Sequence, residues 1–375
     1  MTITSKRIAF FAPIKPPDHP IPSGDRLIAG NLLKALELAG FHAEISSRYI
    51  CYSKRSATDI LEARKEGALE EVDRLLARYS KMAPEQRPDL WLTYHPYCKA
   101  PDWIGPRISK ALDIPYVTVE AARTAQGIND EWKPWRMEAQ AGIRKADRHL
   151  CFKPTDRKYL SQLLDGDEKI FDFPAFIDTQ PREGISKAIL PNNWKPDVPV
   201  LVTTGMMRPG KKLKNFELLA EALASLPGFP LNLVIIGGGP EENTIRSRFA
   251  SLPQENIYWT GQVSHDEVLS WMRAANLFIW PGWKEPIGMV YLEAQLEGLP
   301  VIASNSMGVP LVVEHGKTGL LSPEGDSAAM CSNILVMLAD RNKRSSMGKA
   351  GSIKVQREHS LESAARRLQE VLADL

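Results

Sequence analysis

The sequence has few cysteines and no long apolar run. Its 375 residues contain only four cysteines, at positions 51, 98, 151 and 331, with no paired spacing among them. This argues against a disulfide framework or a zinc site and favours a reducing compartment. The apolar run near the N-terminus is too short for a signal peptide or a membrane span, and no later run reaches the required length. The sequence therefore predicts a cytoplasmic protein, with peripheral contact at the inner face of a membrane left open.

The sequence also lacks a strong excess of charge of one sign. Lys and Arg number 47 and Asp and Glu number 45, which gives a formal net charge of +2. Global charge therefore does not predict nucleic acid as a partner. Internal repeats and low-complexity tracts are absent as well. The 43% hydrophobic and 25% charged content is ordinary for a globular protein, and 375 residues suffice for two domains.

Short apolar runs alternate with helical patterns along most of the chain. The alternation begins with a strand pattern at 7–12 and restarts with another at 200–204, after a proline-rich stretch at 179–199. This predicts an α/β fold with two Rossmann-like doubly wound parallel-sheet domains facing across a cleft. We expect an N-terminal domain at 1–186, a C-terminal domain at 187–355 and a final helix at 356–375.

One stretch, 280–304, concentrates the chemical signals and reads WPGWKEPIGMVYLEAQLEGLPVIAS. An apolar strand, LFIW, leads into a turn, and a helix is predicted from near Gly288 to near Glu297. Gly298 stands where a helix ends, and Pro300 lies just beyond it. A further strand follows. Open parallel sheets bind ligands at the carboxyl ends of their strands, so this turn is a candidate ligand site.

Two glutamates flank the start of the predicted helix. Glu285 lies in the turn, and Glu293 follows on the helix after seven intervening residues. The backbone N–H groups near Gly288, Met289 and Val290 would face an anion at the helix N-terminus. Carboxylates on either side suit hydroxyl-rich groups. A ligand with one anionic part and two polyol parts fits this layout, and a nucleoside diphosphate sugar has it.

The motifs EPIGMVYLEAQLEGLPVIAS and EHGKTGLLSPEGD, the second at 314–326, resemble those of retaining nucleotide-sugar glycosyltransferases of family four. That family has the GT-B fold. The resemblance implies that 1–186 is the N-terminal acceptor domain and 187–355 the C-terminal nucleotide-sugar donor domain, and that the helix at 356–375 packs back towards the first domain. The resemblance implies a hexosyltransferase-type enzyme that moves a sugar from a nucleoside diphosphate to an acceptor hydroxyl, with the departing phosphate helping to deprotonate the acceptor. It implies no cofactor and no metal, and no Asp-x-Asp motif lies near the candidate loops. The runs SGDR and MMRPG suggest envelope polysaccharide or glycolipid synthesis, hence a saccharide or glycolipid acceptor.

The loop after the strand at 200–204 carries the basic residues that sugar transfer needs. Cations at a strand end can stabilise the departing diphosphate, and Arg208 and Lys212 resemble the arginine and lysine of the family. Lys214 is the alternative to Lys212 for the contact with the diphosphate. By the same resemblance Glu285 binds the sugar hydroxyls and Glu293 the ribose hydroxyls. Arg208, Lys212 and Glu285 thus form the predicted catalytic set.

The first domain departs from the family pattern at two places. The family commonly has two glycines before the first helix, whereas this chain has Gly24 followed by Asp25. Gly24 and Arg26 remain candidate donor contacts. Where the family often has a histidine after a strand, this chain has Glu120, while His95 follows the preceding strand. Both are candidates for the acceptor or sugar side. An ordinary strand-end role for His95 is an equal alternative.

The segment 121–149 interleaves basic and aromatic side chains. One interpretation is a surface that meets anionic lipid or a charged acceptor. The favoured one is a solvated helix face with two tryptophans in the core. The residues concerned are Arg123, Trp132, Lys133, Trp135, Arg136, Arg144, Lys145 and Arg148.

Three other functions are compatible with parts of this pattern. A sugar-nucleotide epimerase would share the two-domain fold but need no acceptor. A non-catalytic nucleotide-sugar binding protein is disfavoured because the basic residues and both glutamates are present together. A dehydrogenase is disfavoured because Gly237 and Gly239 are followed by Glu242 where a third glycine is required.

Overall fold

The computed structural model describes residues 6–21, 23–122, 130–228 and 230–375. The chain separates into two compact units. The first consists of Met1–Phe176 and Leu361–Leu375, and the second of Ile177–Ser360. Each unit is built on its own parallel sheet with helices between the strands, so the predicted α/β fold with two Rossmann-like doubly wound sheets is confirmed.

The first unit contains a six-stranded parallel sheet within the described residues, in the order β2-β1-β3-β4-β5-β6. Its C-terminal helix packs against its first helix. The strands are β1 (Arg7–Phe11), β2 (His42–Ser47), β3 (Leu90–Tyr94), β4 (Tyr116–Val119), β5 (Arg148–Cys151) and β6 (Ile170–Asp172). The helices are α1 (Gly24–Leu38), α2 (Thr58–Ser80), α3 (Gly105–Leu112), α4 (Lys133–Ile143), α5 (Pro154–Leu164) and, from the end of the chain, α13 (Leu361–Leu372).

The second unit contains another six-stranded parallel sheet in the described part of the chain, ordered β12-β11-β10-β7-β8-β9. Its strands are β7 (Val200–Thr204), β8 (Asn232–Ile236), β9 (Ile257–Gly261), β10 (Leu277–Ile279), β11 (Val301–Asn305) and β12 (Gly319–Pro323). Its helices are α6 (Lys211–Ala224), α7 (Glu242–Arg248), α8 (His265–Ala274), α9 (Met289–Leu296), α10 (Val309–Val312), α11 (Ser327–Ala339) and α12 (Arg341–Glu358). The central strands are buried on both faces, which explains why they read as unbroken apolar runs.

The proline-rich stretch at 179–199 carries no helix or strand. It is held by the second unit. Arg182 forms an ion pair with Asp266, and the backbone N–H of Ala188 donates to the carbonyl of Ser270 at 3.0 Å. Ile177 also bridges to Ser360. The stretch therefore belongs structurally with residues 200–360, while the sequence pattern placed the domain boundaries at 186 and 355.

All strands in each sheet are parallel, but at one point the chain switches from adding strands on one side of its first strand to adding them on the other side. In the second unit this switch point lies between β7 and β10, and in the first it lies between β1 and β3. Loops at the carboxyl ends of strands beside a switch point are pushed apart, which leaves a crevice for a ligand.

Helix α1 begins at Gly24, directly after Ser23. Ser23 explains this, because its hydroxyl accepts a hydrogen bond from the backbone N–H of Arg26 at 3.2 Å and caps the helix. In the 121–149 segment, Trp132 and Trp135 are buried and pack against each other with their ring centroids 5.6 Å apart, as the favoured interpretation predicts. Arg123 lies outside the described residues. None of the helices in the described ranges combines the length and apolar content that crossing a membrane requires.

Candidate functional site

The strongest candidate site lies at the switch point of the second sheet. The loop after β7 carries Arg208 and leads into α6 with Lys212, and the loop after β10 carries Glu285 and leads into α9 with Glu293. The two strands are adjacent and parallel, with Leu277 beside Leu201 in the register. The predicted basic residues and glutamates therefore come from the pair of loops at which this class of sheet binds ligands.

A buried asparagine joins these two loops. The side-chain amide of Asn215, only 1% exposed, donates to the carbonyls of Lys211 at 2.7 Å and Trp283 at 3.3 Å. Its oxygen accepts a hydrogen bond from the backbone N–H of Trp283 at 2.8 Å. One side chain on α6 thus satisfies backbone groups on both sides of the site and fixes the spacing between the loops.

The loop after β11 supports the Glu285 turn from the other side. The backbone N–H of Lys284 donates to the hydroxyl of Ser306 at 3.0 Å, and that of Gly308 donates to the carbonyl of Glu285 at 3.2 Å. A side chain at Gly308 would place its Cβ 1.9 Å from the carbonyl oxygen of Pro286. Glycine at 308 is therefore required by the close approach of the two backbones, and the turn is held on both flanks.

Lys212 and Glu285 lie in direct contact. The ammonium of Lys212 is 3.2 Å from Oε2 of Glu285 and 5.1 Å from the centre of the Trp280 ring. Both side chains are partly exposed, at 32% and 19%. Among the described residues, the other carboxylate oxygen of Glu285 receives no hydrogen bond. The cation and the carboxylate predicted to contact the donor are thus brought to one point with capacity for further hydrogen bonds.

The other two basic candidates are placed differently from Lys212. Arg208 is exposed, and within the described ranges its guanidinium has neither a hydrogen-bond nor an ion-pair partner. Lys214 is 3.9 Å from Glu217 on its own helix, a residue that also pairs with Arg248. The structure thus brings Lys212, and not Lys214, to Glu285.

Helix α9 begins at the predicted place. Gly288 caps it in the left-handed conformation, with φ of 84°, and a Cβ there would lie 2.4 Å from the Tyr291 ring. Any other residue at 288 would be strained and would collide with this buried tyrosine. Met289 and Val290 form the first turn, whose backbone N–H groups have no carbonyl within the helix to bond. The helix therefore begins with N–H donors between the two glutamates, as the sequence predicts.

Glu293 contacts a residue that sequence analysis did not select. Oε1 of Glu293 is 3.1 Å from Nε2 of His265, which is the first residue of α8. Glu293 is 16% exposed and His265 39% exposed. In the part of the chain that the structure describes, Oε2 of Glu293 has no partner. A carboxylate held through one oxygen and open at the other can accept hydrogen bonds from a vicinal diol.

The first unit gathers charged side chains at its own switch point. Nδ1 of His95, at the end of β3, is 3.1 Å from Oδ1 of Asp25 in the first turn of α1. Burial by itself would lower the pKa of His95, but the charges of Glu120 and Asp25 outweigh it and raise the pKa. Burial would likewise raise the pKa of Asp25, but the hydrogen bond and charge of His95 lower it. Both shifts favour the charged form of the group concerned, and Asp25 has a contact that glycine could not make.

Glu120 is buried in this cluster and is satisfied by the protein. Its side chain is 3% exposed, and its oxygens accept hydrogen bonds from Lys153 at 3.0 Å and from the Tyr94 hydroxyl at 3.1 Å. Lys153 also pairs with Asp156 at 3.0 Å. Burial would lower the pKa of Lys153, but the charges of Glu120 and Asp156 raise it. Glu120 therefore contacts only other protein groups among the described residues, whereas His95 and Asp25 are the less buried members of the cluster.

Gly24 and Arg26 lie at the start of α1. Gly24 is exposed, and a Cβ there would meet no atom within 4 Å. Nothing in the surrounding protein therefore requires glycine at 24. Arg26 donates from Nε to the carbonyl of Pro17 at 3.1 Å, which holds the proline-rich loop after β1 against the helix.

Among the described residues, no three His, Cys, Asp or Glu side chains are grouped as ligands of one ion would be. The cations and the helix N–H groups can bind an anion, and the carboxylates can accept hydrogen bonds from hydroxyl groups.

Sequence comparison confirms the resemblance drawn from the motifs. Residues 191–354 match the profile of the family described as glycosyl transferases group 1. A sulfoquinovosyl transferase, SQD2, of Arabidopsis thaliana is 31% identical over 162 residues, which cover 42% of this chain and 30% of that protein. A GDP-mannose-dependent monoacylated alpha-(1-6)-phosphatidylinositol monomannoside mannosyltransferase of Corynebacterium glutamicum is 31% identical over 182 residues, or 46% of this chain and 47% of its own. The chain thus spans less than half the length of these two relatives.

Solved structures agree with the fold over nearly the whole chain. Sucrose-phosphate synthase from Thermosynechococcus elongatus superposes with a TM-score of 0.71 at 20% identity and covers 98% of both chains. Anabaena HepE in complex with UDP gives a TM-score of 0.67 at 16% identity and covers 99% of this chain and all of its own. At these identities the likeness establishes the fold, which is that of GT-B glycosyltransferases.

Proposed function

We propose that the protein is a retaining, metal-independent hexosyltransferase that moves a sugar from a nucleoside diphosphate sugar to the hydroxyl of a saccharide or glycolipid. The observation that carries this proposal is the second-unit switch point. There Glu285 and Glu293 lie on either side of the α9 N-terminus, with Lys212 in contact with Glu285. A ligand with an anionic part between two polyol parts matches this order of carboxylate, cation with helix N-terminus, and carboxylate.

Each donor group has a counterpart in this arrangement. Lys212, the exposed Arg208 and the N–H groups at the start of α9 bind the diphosphate. The second oxygen of Glu293 accepts hydrogen bonds from the ribose diol. Glu285 binds the sugar hydroxyls through its second oxygen, which has no partner among the described residues. A bound donor would separate Lys212 from Glu285, since each then has a partner of its own.

The reaction exchanges one bond at the anomeric carbon. The bond from that carbon to the diphosphate oxygen breaks, and the acceptor oxygen forms a bond to the same carbon on the same face. The acceptor proton passes to the departing phosphate, and the nucleoside diphosphate leaves. The cations stabilise the charge that develops on the leaving oxygen, which is where preorganised donors lower the barrier most.

The acceptor is proposed from the relatives and from the first unit. The names of two relatives, a sulfoquinovosyl transferase and a phosphatidylinositol monomannoside mannosyltransferase, favour a glycolipid and envelope synthesis. His95 and Asp25 are the polar groups that the first unit presents at its switch point, so we assign them to the acceptor or sugar side. Glu120 supports them from beneath. All four cysteines are buried and free of disulfides, in keeping with the cytoplasm.

A donor panel tests the proposal. Thermal shift with uridine, guanosine and adenosine diphosphate sugars should reveal a stabilising donor, because a ligand that binds only the folded state raises the unfolding temperature. The donor found is then incubated with and without lipid or saccharide acceptor, in the presence and absence of a chelator. Acceptor-dependent release of nucleoside diphosphate, unaffected by chelation, is the expected result. Release or isomerisation without acceptor would support an epimerase, and binding without any turnover would support a binding protein.

A further inference from the structure

The pair His265–Glu293 is not explained by stability alone. Nε2 of His265 is 3.1 Å from Oε1 of Glu293, and the histidine is 39% exposed. An ion pair with one side chain exposed to this degree is screened by solvent and contributes little to folding. The pair lies at the first turn of α8. Near the other end of α8, Arg273 pairs at 2.7 Å with Glu297, the residue that follows α9. Two bridges thus join the same helices, and only one involves a candidate ligand group.

The position of His265 is itself fixed. Ser264 caps α8, and a capping box with Glu267 holds the first turn on both sides. His265 therefore stands on a rigid helix start, and its ring nitrogen meets a carboxylate that is only 16% exposed. To donate to that oxygen, Nε2 must carry the proton, so the carboxylate is the acceptor in this bond.

We infer that His265 is a positioning residue for recognition of the donor ribose, acting through Glu293. The imidazole restrains Oε1, and this turns Oε2 towards the ligand so that the 2′ and 3′ hydroxyls find a carboxylate already oriented. Without it, Glu293 must give up rotamer freedom on binding, which weakens affinity. This inference rests on the proposed function, because it presumes a nucleotide donor at the second-unit switch point.

The test compares His265→Ala, His265→Gln and Arg273→Ala with the unaltered protein. Calorimetry measures the affinity for the nucleoside diphosphate that binds most tightly among uridine, guanosine and adenosine diphosphates, and for its 2′,3′-dideoxy analogue. His265→Ala should weaken the ribonucleotide about tenfold and leave the dideoxy analogue unchanged, since only the ribonucleotide presents the diol. His265→Gln, whose amide can donate to Glu293, should recover most of the loss. Arg273→Ala should leave both affinities unchanged, because it removes the bridge to Glu297 and a hydrogen bond to the Ile185 carbonyl, and neither involves a candidate ligand group.

The outcomes separate the two proposals. If no nucleoside diphosphate binds the unaltered protein, the proposed function fails and this inference fails with it. If the ribonucleotide binds more tightly than its dideoxy analogue but His265→Ala does not change that preference, only the inference fails. An equal loss for both ligands in His265→Ala, or the same loss in Arg273→Ala, would assign His265 a structural role and overturn the inference.

Discussion

Replacement of Asn215 by alanine should weaken both the fold of the second unit and the binding of a nucleotide. The side chain is 1% exposed and makes three hydrogen bonds to backbone groups of the two loops that carry the candidate site. At about 1 kcal/mol for each bond, the free energy of unfolding should fall by about 3 kcal/mol. The loss is compounded because the partly buried backbone N–H of Trp283 would lose its acceptor.

Urea denaturation followed by fluorescence measures this change, since ΔG falls linearly with urea concentration. Asn232→Ala provides a matched control, because Asn232 is equally buried in β8 but its side-chain nitrogen has no partner among the described residues. The control should cost much less than Asn215→Ala. Calorimetry with the nucleoside diphosphate should show weaker binding only for Asn215→Ala. Equal stability of the two variants, or unchanged nucleotide affinity in Asn215→Ala, would refute the role of Asn215 as the link between the loops.

Lys212→Ala and Arg208→Ala should each lower turnover by about a hundredfold with little loss of stability, whereas Lys214→Ala should retain most activity. Steady-state rates with folded protein check this, and the reverse ranking of the two lysines would move the diphosphate contact to Lys214. The ionic pair of His95 and Asp25 should stabilise the protein in a limited pH range. The raised pKa of His95 gives stability below its unfolded value of about 6.5 that is lost as the pH rises through the folded value. The lowered pKa of Asp25 gives stability above about 3.9 that is lost as the pH falls through its folded value. Urea midpoints should therefore show an advantage over Asp25→Asn between about pH 4 and 6.5 that shrinks towards pH 8; a constant difference across that range would contradict the pairing.

The sequence was sufficient to predict the sheets and the principal loops. Apolar strands buried on both faces and helices between them produce a strong periodic signal, so the fold class followed from pattern alone. Glu285, Glu293 and Gly288 were found because a glycine turn, a helix start and two carboxylates fall within a few residues of one another. Such short spacings can be read from the sequence without knowledge of the fold.

Contacts between distant parts of the chain could not be predicted in the same way. His265 lies 28 residues from Glu293 and carries no motif, and it becomes relevant only because α8 and α9 are neighbours. Asp25 was noticed only as a departure from two glycines, and its pairing with His95 spans 70 residues. Asn215 follows Lys214 in the sequence, but its three hydrogen bonds to backbone groups are defined by the fold. Tertiary packing decides such partners, and a local pattern does not record it.

The choice between Lys212 and Lys214 shows the same limit at short range. Both lie in KKLK at the start of α6, and neither spacing nor charge separates them. Residues two apart on a helix point in different directions. Lys212 reaches Glu285 and the Trp280 ring, while Lys214 lies towards Glu217.

The central claim is that the second unit binds the nucleotide part of a donor through Glu293. Calorimetric titration of the unaltered protein and of Glu293→Ala with the nucleoside diphosphate selected by the donor panel tests this most directly. The account predicts binding by the unaltered protein and a loss of more than about tenfold in affinity for Glu293→Ala, because the ribose diol loses its acceptor. Binding of the same strength by a folded Glu293→Ala variant would contradict it.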